Sequence, residues 1–310
     1  MKEYAFGIDL GGTTAKIGLF KTTGELLEKW EVPTDTSNAG EHILKNLAAA
    51  VQGKMQEKGL AAEQVEGVGV GVPGPVLDSR IVPIICANLG GWGERNVSAQ
   101  LSGLLDGMKV LVGNDANVAA LGEIWMGTAK GCRSAVMVTL GTGVGGGILT
   151  GGRLLEGARG LGGELGHYRT HALDGVLCTC GASGCWERYA ATTALVRAAQ
   201  PRNHKWRDGR AIFESAHAGD PIILALLEDW TDEIAQGLAG LVHIFNPQLI
   251  LIGGGVSAQQ ELLIEPIARK VRASIMPAFA EGLEIRAAQL HNDAGMVGAV
   301  YYFRQSRGEN

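Results

Sequence analysis

The sequence has no excess of positive charge, no long apolar run and no Pro- or Ser-rich linker. Lys and Arg number 27 against 32 Asp and Glu, so we expect no nucleic-acid partner. No apolar run reaches the roughly 18 residues that span a bilayer. We expect no signal peptide, because the first residues pass almost directly into a structured motif. We therefore expect a cytoplasmic protein without a membrane partner. Hydrophobic residues make up 46% of the chain, enough for the cores of about two domains.

Two common nucleotide-binding patterns are also missing. The Walker-A pattern G-x4-G-K-[ST] does not occur in the chain. Residues 69–74 and 141–146 fit G-x-G-x-x-G, but a dinucleotide fingerprint must open a helix after its strand. The first segment runs into a proline turn and the second into another predicted strand. The sequence therefore excludes NAD binding and P-loop chemistry.

Glycine is abundant instead, with 47 residues, about twice the average share. Glycine clusters follow predicted strands in four places, at residues 11–14, 71–75, 141–147 and 253–255. Turns of this kind expose backbone N–H groups that can surround phosphate oxygens. One such turn is ordinary, but four in one chain indicate a phosphate-bearing ligand.

A hairpin with a glycine turn occurs once in each half of the chain. Strands 4–10 and 15–20 flank the first turn, and strands 134–140 and 144–150 flank the second, at an offset of 130 residues. The repeat predicts two phosphate-binding hairpins that face each other across a cleft. Because no linker separates the halves, the domain boundary near residue 115 is inferred from the repeat alone.

Three polar side chains accompany these turns. Asp9 ends the first strand, where a carboxylate can organise Mg²⁺ and its waters beside nucleotide phosphates. Thr13 and Thr142 offer hydroxyl groups to the same phosphates. The alternative for Asp9 is that it only caps the turn.

Apolar periodicity predicts the remaining elements. The strands are expected over 25–32, 65–72, 109–112 and 248–252. The helices are expected over 41–58, 116–126, 186–200, 220–245 and 293–304. Asn114 or Asp115 is the predicted cap of the helix over 116–126.

The five cysteines fall into two groups. Cys86 and Cys132 stand alone, as expected of small buried side chains. The other three are crowded as Cys178-x-Cys180-x4-Cys185. A disulfide is not expected in a reducing cytosol, so this spacing favours metal binding over three unliganded thiols.

Three thiolates need a fourth ligand to complete a tetrahedron around zinc. His167 is the first candidate for that ligand, and His171 is its competitor. Gly181 and Gly184 allow the chain to curl back so that the sulfur atoms converge. The spacing therefore predicts a structural zinc site.

The sequence resembles the ROK family of sugar kinases, within the actin-like, ribonuclease-H-like ATPase superfamily, over essentially its whole length. Two motifs carry the resemblance most specifically, Glu164-x-Gly-His167 and the cysteine motif extended to Cys185-x-Glu187. The others are Asp9-Leu-Gly-Gly-Thr13, Gly71-Val-Pro-Gly74, Gly113-Asn-Asp-Ala-Asn117, Leu140-Gly-Thr-Gly-Val-Gly-Gly146, Ile252-Gly-Gly-Gly255 and Asn292-Asp-Ala-Gly295.

The resemblance implies an α/β protein with the duplicated two-domain actin-like ATPase (ribonuclease H-like) fold and a central cleft. We expect a small α/β domain over residues 1–115, completed by the C-terminal helix 293–310. A large α/β domain is expected over 116–292, with the zinc loop at 167–187. The resemblance also implies a homodimer that binds a hexose and MgATP.

Residue roles are carried over at matching motif positions. Asp115 is implied as the catalytic base, with a plain helix cap as its alternative. The residues implied to bind the sugar are Gly74, Asn88, Asn114, Asp115, Glu164, His167 and Glu187. The residues implied to bind MgATP are Asp9, Gly11, Gly12, Thr13, Lys16, Gly141, Thr142, Gly143, Gly254 and Gly255. The implied zinc ligands are His167, Cys178, Cys180 and Cys185.

The implied activity is ATP-dependent phosphorylation of a hexose at its 6-hydroxyl, with glucose the expected sugar. N-acetylmannosamine, N-acetylglucosamine, allose and fructose remain alternative substrates, because no spacing distinguishes them. A non-catalytic sugar-sensing regulator is a further alternative. Some ROK members are repressors with an N-terminal helix-turn-helix of roughly 80 residues, but the Asp-Leu-Gly-Gly-Thr motif here begins at residue 9.

Overall fold

The structure is a computed structural model of the 310-residue chain and describes residues 2–86 and 89–305. The strands in chain order are β1 (Tyr4–Leu10), β2 (Thr14–Lys21), β3 (Leu26–Pro33), β4 (Val65–Val72), β5 (Ile81–Cys86), β6 (Trp92–Asn96), β7 (Val110–Asn114), β8 (Ala135–Leu140), β9 (Val144–Thr150), β10 (Arg153–Leu154), β11 (Leu249–Gly253) and β12 (Glu284–Ala287). The α-helices are α1 (Ile43–Lys58), α2 (Val97–Leu104), α3 (Asp115–Met126), α4 (Glu187–Ala190), α5 (Thr192–Ala199), α6 (Gly209–His217), α7 (Pro221–Phe245), α8 (Glu265–Ser274), α9 (Pro277–Ala280) and α10 (Ala294–Gln305).

Two five-stranded sheets in the described part of the chain share one topology. The first has the order β3-β2-β1-β4-β7 and the second the order β10-β9-β8-β11-β12. In each sheet the first three strands form an antiparallel meander, and two further strands lie parallel to the first. The repeat predicted from the two glycine turns is therefore a repeat of a whole α/β module.

The two hairpins differ by one residue in their turns. Leu10 pairs with Ala15 across a four-residue turn, whereas Leu140 pairs with Val144 across a three-residue turn. The offset of 130 residues therefore holds for the first strand of each hairpin and drops to 129 in the second. Asp9 of the first hairpin corresponds to Thr139 of the second.

The chain divides into two compact units. The first unit comprises the chain up to Lys130, the segment Glu156–Gly162 and the chain from Asn292 onward. The second unit comprises Gly131–Leu155 and Gly163–His291. This division differs from the domain boundary expected near residue 115, because α3 belongs to the first unit. The reason is that α3 packs closely against α10, the C-terminal helix, through small residues.

Each unit has its own hydrophobic core beneath its sheet. In the first unit, every residue of β4 is buried, as expected for a parallel strand between two neighbours, and Phe6 and Ile8 of β1 are fully buried beside it. In the second unit, Val136 and Ile250 pack with Trp186. Each such side chain contributes about 1.5–3 kcal/mol by its burial.

No helix among residues 2–86 and 89–305 combines the length and the apolar character needed to cross a bilayer.

Candidate active site

The first glycine turn joins β1 to β2 in the first unit. The Gly11 N–H donates to the carbonyl oxygen of Thr14 at 3.1 Å, and a Cβ atom on Gly11 would lie only 2.8 Å from that oxygen. Thr34 holds the turn through two hydrogen bonds. Its hydroxyl donates to the Gly11 carbonyl at 2.7 Å, and its N–H donates to the Thr13 carbonyl at 2.9 Å. Gly12 and Thr13 stay exposed at the tip.

Asp9 lies next to this turn, paired in the sheet with Lys16 of β2. Burial raises the pKa of Asp9, and the positive charge of Lys16 lowers it in part. The Lys16 ammonium group also donates to the Asn292 carbonyl at 3.4 Å. Gly295 near the start of α10 lets the helix approach, because a Cβ there would lie 2.5 Å from Cγ of Asp9. Asp9 is thus a carboxylate held in a confined position.

Asp115 is the first residue of α3, and the preceding residue, Asn114, is its N-cap. The Asn114 side-chain oxygen accepts from the Asn117 N–H at 3.0 Å, and its NH₂ group donates to the Gly74 carbonyl at 3.0 Å. The Asp115 carboxylate accepts from the Ala116 N–H at 2.7 Å. Since Asn114 already caps the helix, Asp115 presents its carboxylate at the positive end of the α3 dipole in addition to that cap.

Gly74 and Cys86 line the same region of the first unit. Gly74 has a left-handed backbone with φ of 87°, which favours glycine. The Cys86 thiol donates to the Pro73 carbonyl at 3.3 Å. Burial raises the pKa of Cys86, and the charge of Asp115 raises it further. Asn88, a predicted sugar ligand, lies outside the described residues.

The second glycine turn joins β8 to β9 in the second unit. The Gly141 N–H donates to the Gly143 carbonyl at 3.0 Å. Thr142 is exposed at the tip, and its carbonyl accepts from the Thr193 hydroxyl at 2.7 Å. A threonine side chain thus supports this turn, as Thr34 supports the first.

The third predicted nucleotide segment follows β11. Gly254 has φ of 95° and is so close to the Leu140 carbonyl that no Cβ could be accommodated there. The same carbonyl accepts from the Thr192 hydroxyl at 3.2 Å. Gly254 and Gly255 are exposed. The structure therefore brings the Gly254 turn against the strand that leads into the second glycine turn.

The predicted zinc ligands come together in the second unit. One nitrogen of His167 and the sulfur atoms of Cys178, Cys180 and Cys185 all lie within 4.8 Å of one another. The distance from Nδ1 of His167 to Sγ of Cys178 is 3.7 Å, and Cys180 and Cys185 are separated by 3.5 Å between their sulfur atoms. Ligands in a tetrahedron with Zn–S bonds of about 2.3 Å are about 3.8 Å apart. Three thiols and one imidazole at these distances fit zinc.

His171, the competing candidate, has other partners. Its Nδ1 is 3.0 Å from the Thr170 hydroxyl, and its Nε2 is 3.5 Å from a carboxylate oxygen of Glu233. Its ring stacks on Tyr189 with centroids 3.7 Å apart. Gly184, with φ of 81°, packs directly on the His171 backbone. His171 thus buttresses the cysteine loop, and His167 is the histidine that lies with the sulfur atoms.

Two carboxylates lie beside the cysteine cluster. Oε2 of Glu164 is 3.9 Å from Nε2 of His167. Glu187 accepts from the Cys178 thiol at 3.1 Å through Oε1 and from the Val144 N–H at 3.4 Å through Oε2. Burial raises the pKa of Glu164, the charge of His167 lowers it, and the charge of Glu187 raises it. The three residues therefore form one polar cluster, rich in groups that can bond to hydroxyls.

Several residues that support the site were not singled out from the sequence. Thr34, Thr192 and Thr193 hold the turns, but no local motif marks them. Asn117 could have been noticed, since it belongs to the motif that contains Asp115. It is buried and donates to the Gly162 carbonyl at 3.1 Å.

The two five-stranded sheets of the same order, each with a glycine turn after its first strand, are the arrangement of the actin-like ATPase fold. The family model described as the ROK family matches residues 5–306, so the chain belongs to the ROK family. The α/β class and the duplicated actin-like ATPase fold expected from the sequence are thereby confirmed.

Among the similar proteins are individual sugar kinases. The chain is 34% identical to the glucokinase of Halalkalibacterium halodurans over 96% of its own length and 94% of that protein. It superimposes with a TM-score of 0.81 on the ROK family glucokinase of Streptomyces griseus in complex with glucose and AMPPNP, at 34% identity, covering 97% of this chain and 99% of that one. The ROK hexokinase of Thermus thermophilus gives a TM-score of 0.83 at 34% identity, with 99% and 100% covered.

Proposed function

We propose that this protein is an ATP-dependent hexokinase that transfers a phosphoryl group from MgATP to the 6-hydroxyl of glucose. The observation that carries the proposal is the Asp115 carboxylate at the start of α3, held by the Asn114 cap. Glucokinases and a hexokinase that match over nearly the whole chain support it. The product is glucose 6-phosphate.

Asp115 is the proposed catalytic base. Phosphoryl transfer depends mostly on positioning and charge stabilisation, with one group that accepts the proton of the attacking hydroxyl. A carboxylate at a helix N-terminus stays ionised because the helix dipole favours its charge. Asp115 would take the proton of the sugar 6-hydroxyl. The 6-oxygen of the sugar would attack the γ-phosphorus of ATP, and the bond from that phosphorus to the β-phosphate oxygen would break to release ADP.

The two glycine turns are the proposed phosphate sites. In the first unit the proposed ligands are Asp9, Gly11, Gly12, Thr13 and Lys16, and in the second unit Gly141, Thr142 and Gly143. Gly254 and Gly255, in the turn after β11, are proposed to lie near the adenosine. Mg²⁺ supplies neutralisation of phosphate charge when bound, and a confined carboxylate such as Asp9 suits its hydrated ion.

The sugar hydroxyls are assigned to residues from two sets of elements. Gly74, Asn88 and Asn114 accompany Asp115, and the other set is Glu164, His167 and Glu187. The second set supports the proposal by its composition, since two carboxylates and an imidazole lie within one polar cluster. An ionised carboxylate can only accept hydrogen bonds, so a sugar hydroxyl beside it must be the donor.

Zinc is the proposed resident metal of the cysteine cluster, with His167, Cys178, Cys180 and Cys185 as its ligands. Such an ion would supply a fixed tetrahedral anchor for the loop. Glu187 follows the last cysteine by two residues, so the anchor would position Glu187 toward the sugar. We further propose a homodimer, and a cytoplasmic location, where three closely spaced thiols remain reduced and MgATP is present.

The test is ADP release with MgATP over a panel of hexoses and N-acetylhexosamines. We expect glucose to have the highest kcat/KM. A preference for N-acetylmannosamine, N-acetylglucosamine, allose or fructose would keep the mechanism and change the sugar. Folded, zinc-loaded protein that turns over none of these sugars would contradict the kinase assignment and favour a sugar-sensing regulator.

A further inference from the structure

A short segment directly after the cysteine loop, residues 187–193, forms hydrogen bonds with the second phosphate turn at three points. The Thr193 hydroxyl donates to the Thr142 carbonyl at 2.7 Å, and the Thr192 hydroxyl donates to the Leu140 carbonyl at 3.2 Å. The third contact is the Val144 N–H, which donates to Glu187 at 3.4 Å. These contacts reach the turn before, at and after its tip.

The segment 187–193 directly continues the cysteine loop and is tied to it by hydrogen bonds. Glu187 begins α4 two residues after Cys185, and the Cys185 carbonyl accepts from the Arg188 N–H at 3.0 Å. Trp186, between them, is fully buried, and its ring N–H donates to the Glu233 carbonyl at 2.9 Å. A displacement of Cys185 would therefore be passed on to residues 187–193.

The contact from Thr193 also decides where the Gly143 N–H of the turn points. In a planar trans peptide the C=O and N–H bonds point in opposite directions. When Thr193 holds the Thr142 carbonyl, the Gly143 N–H of the same peptide is directed away from Thr193. That orientation leaves the N–H available to a phosphate oxygen.

We propose that Thr192 and Thr193 are positioning residues for the nucleotide, and that through them the cysteine loop supports nucleotide binding as well as sugar binding. The proposal rests on the kinase function proposed above. It extends the role of the metal loop from Glu187 and the sugar to the phosphate turn of the second unit. The threonines need not contact the nucleotide, because they act on the backbone that does.

The first experiment measures the affinity for Mg·AMPPNP by calorimetry, without sugar. Thr193→Val and the double variant Thr192→Val/Thr193→Val keep the side-chain shape but remove the hydroxyls. We expect affinity to fall about threefold to tenfold for each lost hydrogen bond. Thr193→Ser keeps a hydroxyl and should restore the affinity. Thr150→Val is the matched control, because Thr150 is exposed at the opposite end of β9.

Kinetic constants separate positioning from a general loss of structure. The valine variants should raise KM for MgATP more than KM for glucose, with unchanged far-UV spectra. Equal changes in both constants, or a serine variant as weak as the valine variant, would overturn the positioning role. If the wild-type protein binds no Mg·AMPPNP, the proposed kinase function itself fails. If it binds and the valine variants bind equally well, only the present inference fails.

A second experiment measures zinc affinity by competition with a chromogenic chelator at equilibrium, with and without Mg·AMPPNP. Coupling between the affinities of two sites is reciprocal, so nucleotide should tighten zinc binding if the metal loop supports the nucleotide. We expect a higher zinc affinity in the presence of Mg·AMPPNP, and loss of that effect in the double valine variant. A zinc affinity that is indifferent to nucleotide in the wild-type protein would refute the link between the loop and the turn.

Discussion

The two glycine turns of this protein occupy the same place in the same topology, yet their surroundings differ in charge. Asp9 and Lys16 face each other beside the first turn, whereas Thr139 and Gly145 pair beside the second. The first unit also carries Asp115. The duplicated module has therefore kept its backbone in both halves but has an acidic side chain at the strand end in only one. Topology alone does not tell which half carries the charged groups.

The supports of the two turns differ as well. Thr34 holds the first turn from a strand of the same meander, since it directly follows β3. Thr192 and Thr193 hold the second turn from a helix that begins after the cysteine loop. A neighbouring strand supports the first turn, and a proposed metal loop supports the second. Four substitutions, one of them measured in two ways, test this contrast, from the largest expected effect to the smallest.

Replacement of the proposed base should have the largest effect. Asp115→Asn keeps the size of the side chain and removes its charge, so we expect kcat to fall about 10²–10⁴-fold with the fold intact. Steady-state kinetics and circular dichroism measure both. Near-normal turnover would remove Asp115 from the mechanism.

Asp9→Asn should lower kcat/KM about 10²–10³-fold, the scale for losing an electrostatic stabiliser. Thr139→Val, at the equivalent position of the second hairpin, is the matched control and should change kcat/KM far less. A comparable loss in both variants would contradict the asymmetry between the hairpins.

Asp9→Asn should lower activity, as described above, but raise the stability of the folded protein. Folding raises the pKa of Asp9 above its ordinary 3.8, because the carboxylate is buried. The folded protein then binds this proton more tightly than the unfolded chain, so stability falls as pH rises from 3.8 through the raised pKa. Without Mg²⁺, Asp9→Asn should therefore raise Tm at neutral pH, and the advantage should vanish below pH 3.8. Calorimetric scans across pH measure it, and a lower Tm at neutral pH would be the contrary result.

Cys180→Ser tests the metal loop of the second unit. We expect loss of bound zinc together with glucose affinity weakened about 10–100-fold, the range for disturbed metal-site partners. Metal analysis and glucose titration give the two readouts, and Cys132→Ser is the control that should retain zinc. If zinc is lost while glucose affinity is unchanged, the loop does not position the sugar ligands.

The smallest effect is expected within the second turn itself. A Cβ at Gly143 would lie 2.5 Å from Oε2 of Glu187, whereas a Cβ at Gly141 would meet nothing within 4 Å. Gly143→Ala should therefore displace Glu187 and weaken glucose binding about tenfold. Gly141→Ala is the paired variant. Equal glucose affinities in the two variants would argue against a constrained Glu187.

Much of the fold could be predicted because its strands are strongly patterned. The predicted bounds of β1, β4 and β9 are those of the structure, since glycine or proline turns mark their ends. The hairpin β5–β6 and the helices α6 and α8 were not predicted. The apolar residues of both helices do recur at helical spacing, as Ile212, Phe213 and Ala216 do in α6 and Ile267 and Val271 do in α8, so the sequence held a signal for them. The strands β5 and β6 pair with each other across a register shift, which a regular strand pattern does not mark.

The candidate site was predictable where short motifs carry it. The crowded cysteines indicated a metal loop, and the residues before α3 indicated a capped helix with an acidic first turn. The sequence left open whether Asn114 or Asp115 caps the helix. The backbone geometry shows that Asn114 is the cap and that Asp115 is the first residue of the helix. The choice of His167 over His171 likewise depended on where the loop folds, because both are equally able to bind zinc.

The order of residues along the chain was enough to specify the two glycine hairpins, the metal-binding spacing and the acidic residues next to them, because each of these is a local pattern. Tertiary structure alone decided that α3 packs with α10, that His167 joins the sulfur atoms, and that Thr192 and Thr193 hold the turn at Thr142. Each of these relations joins segments that are far apart in the chain or equally suited by chemistry. Only packing of the whole unit selects among them.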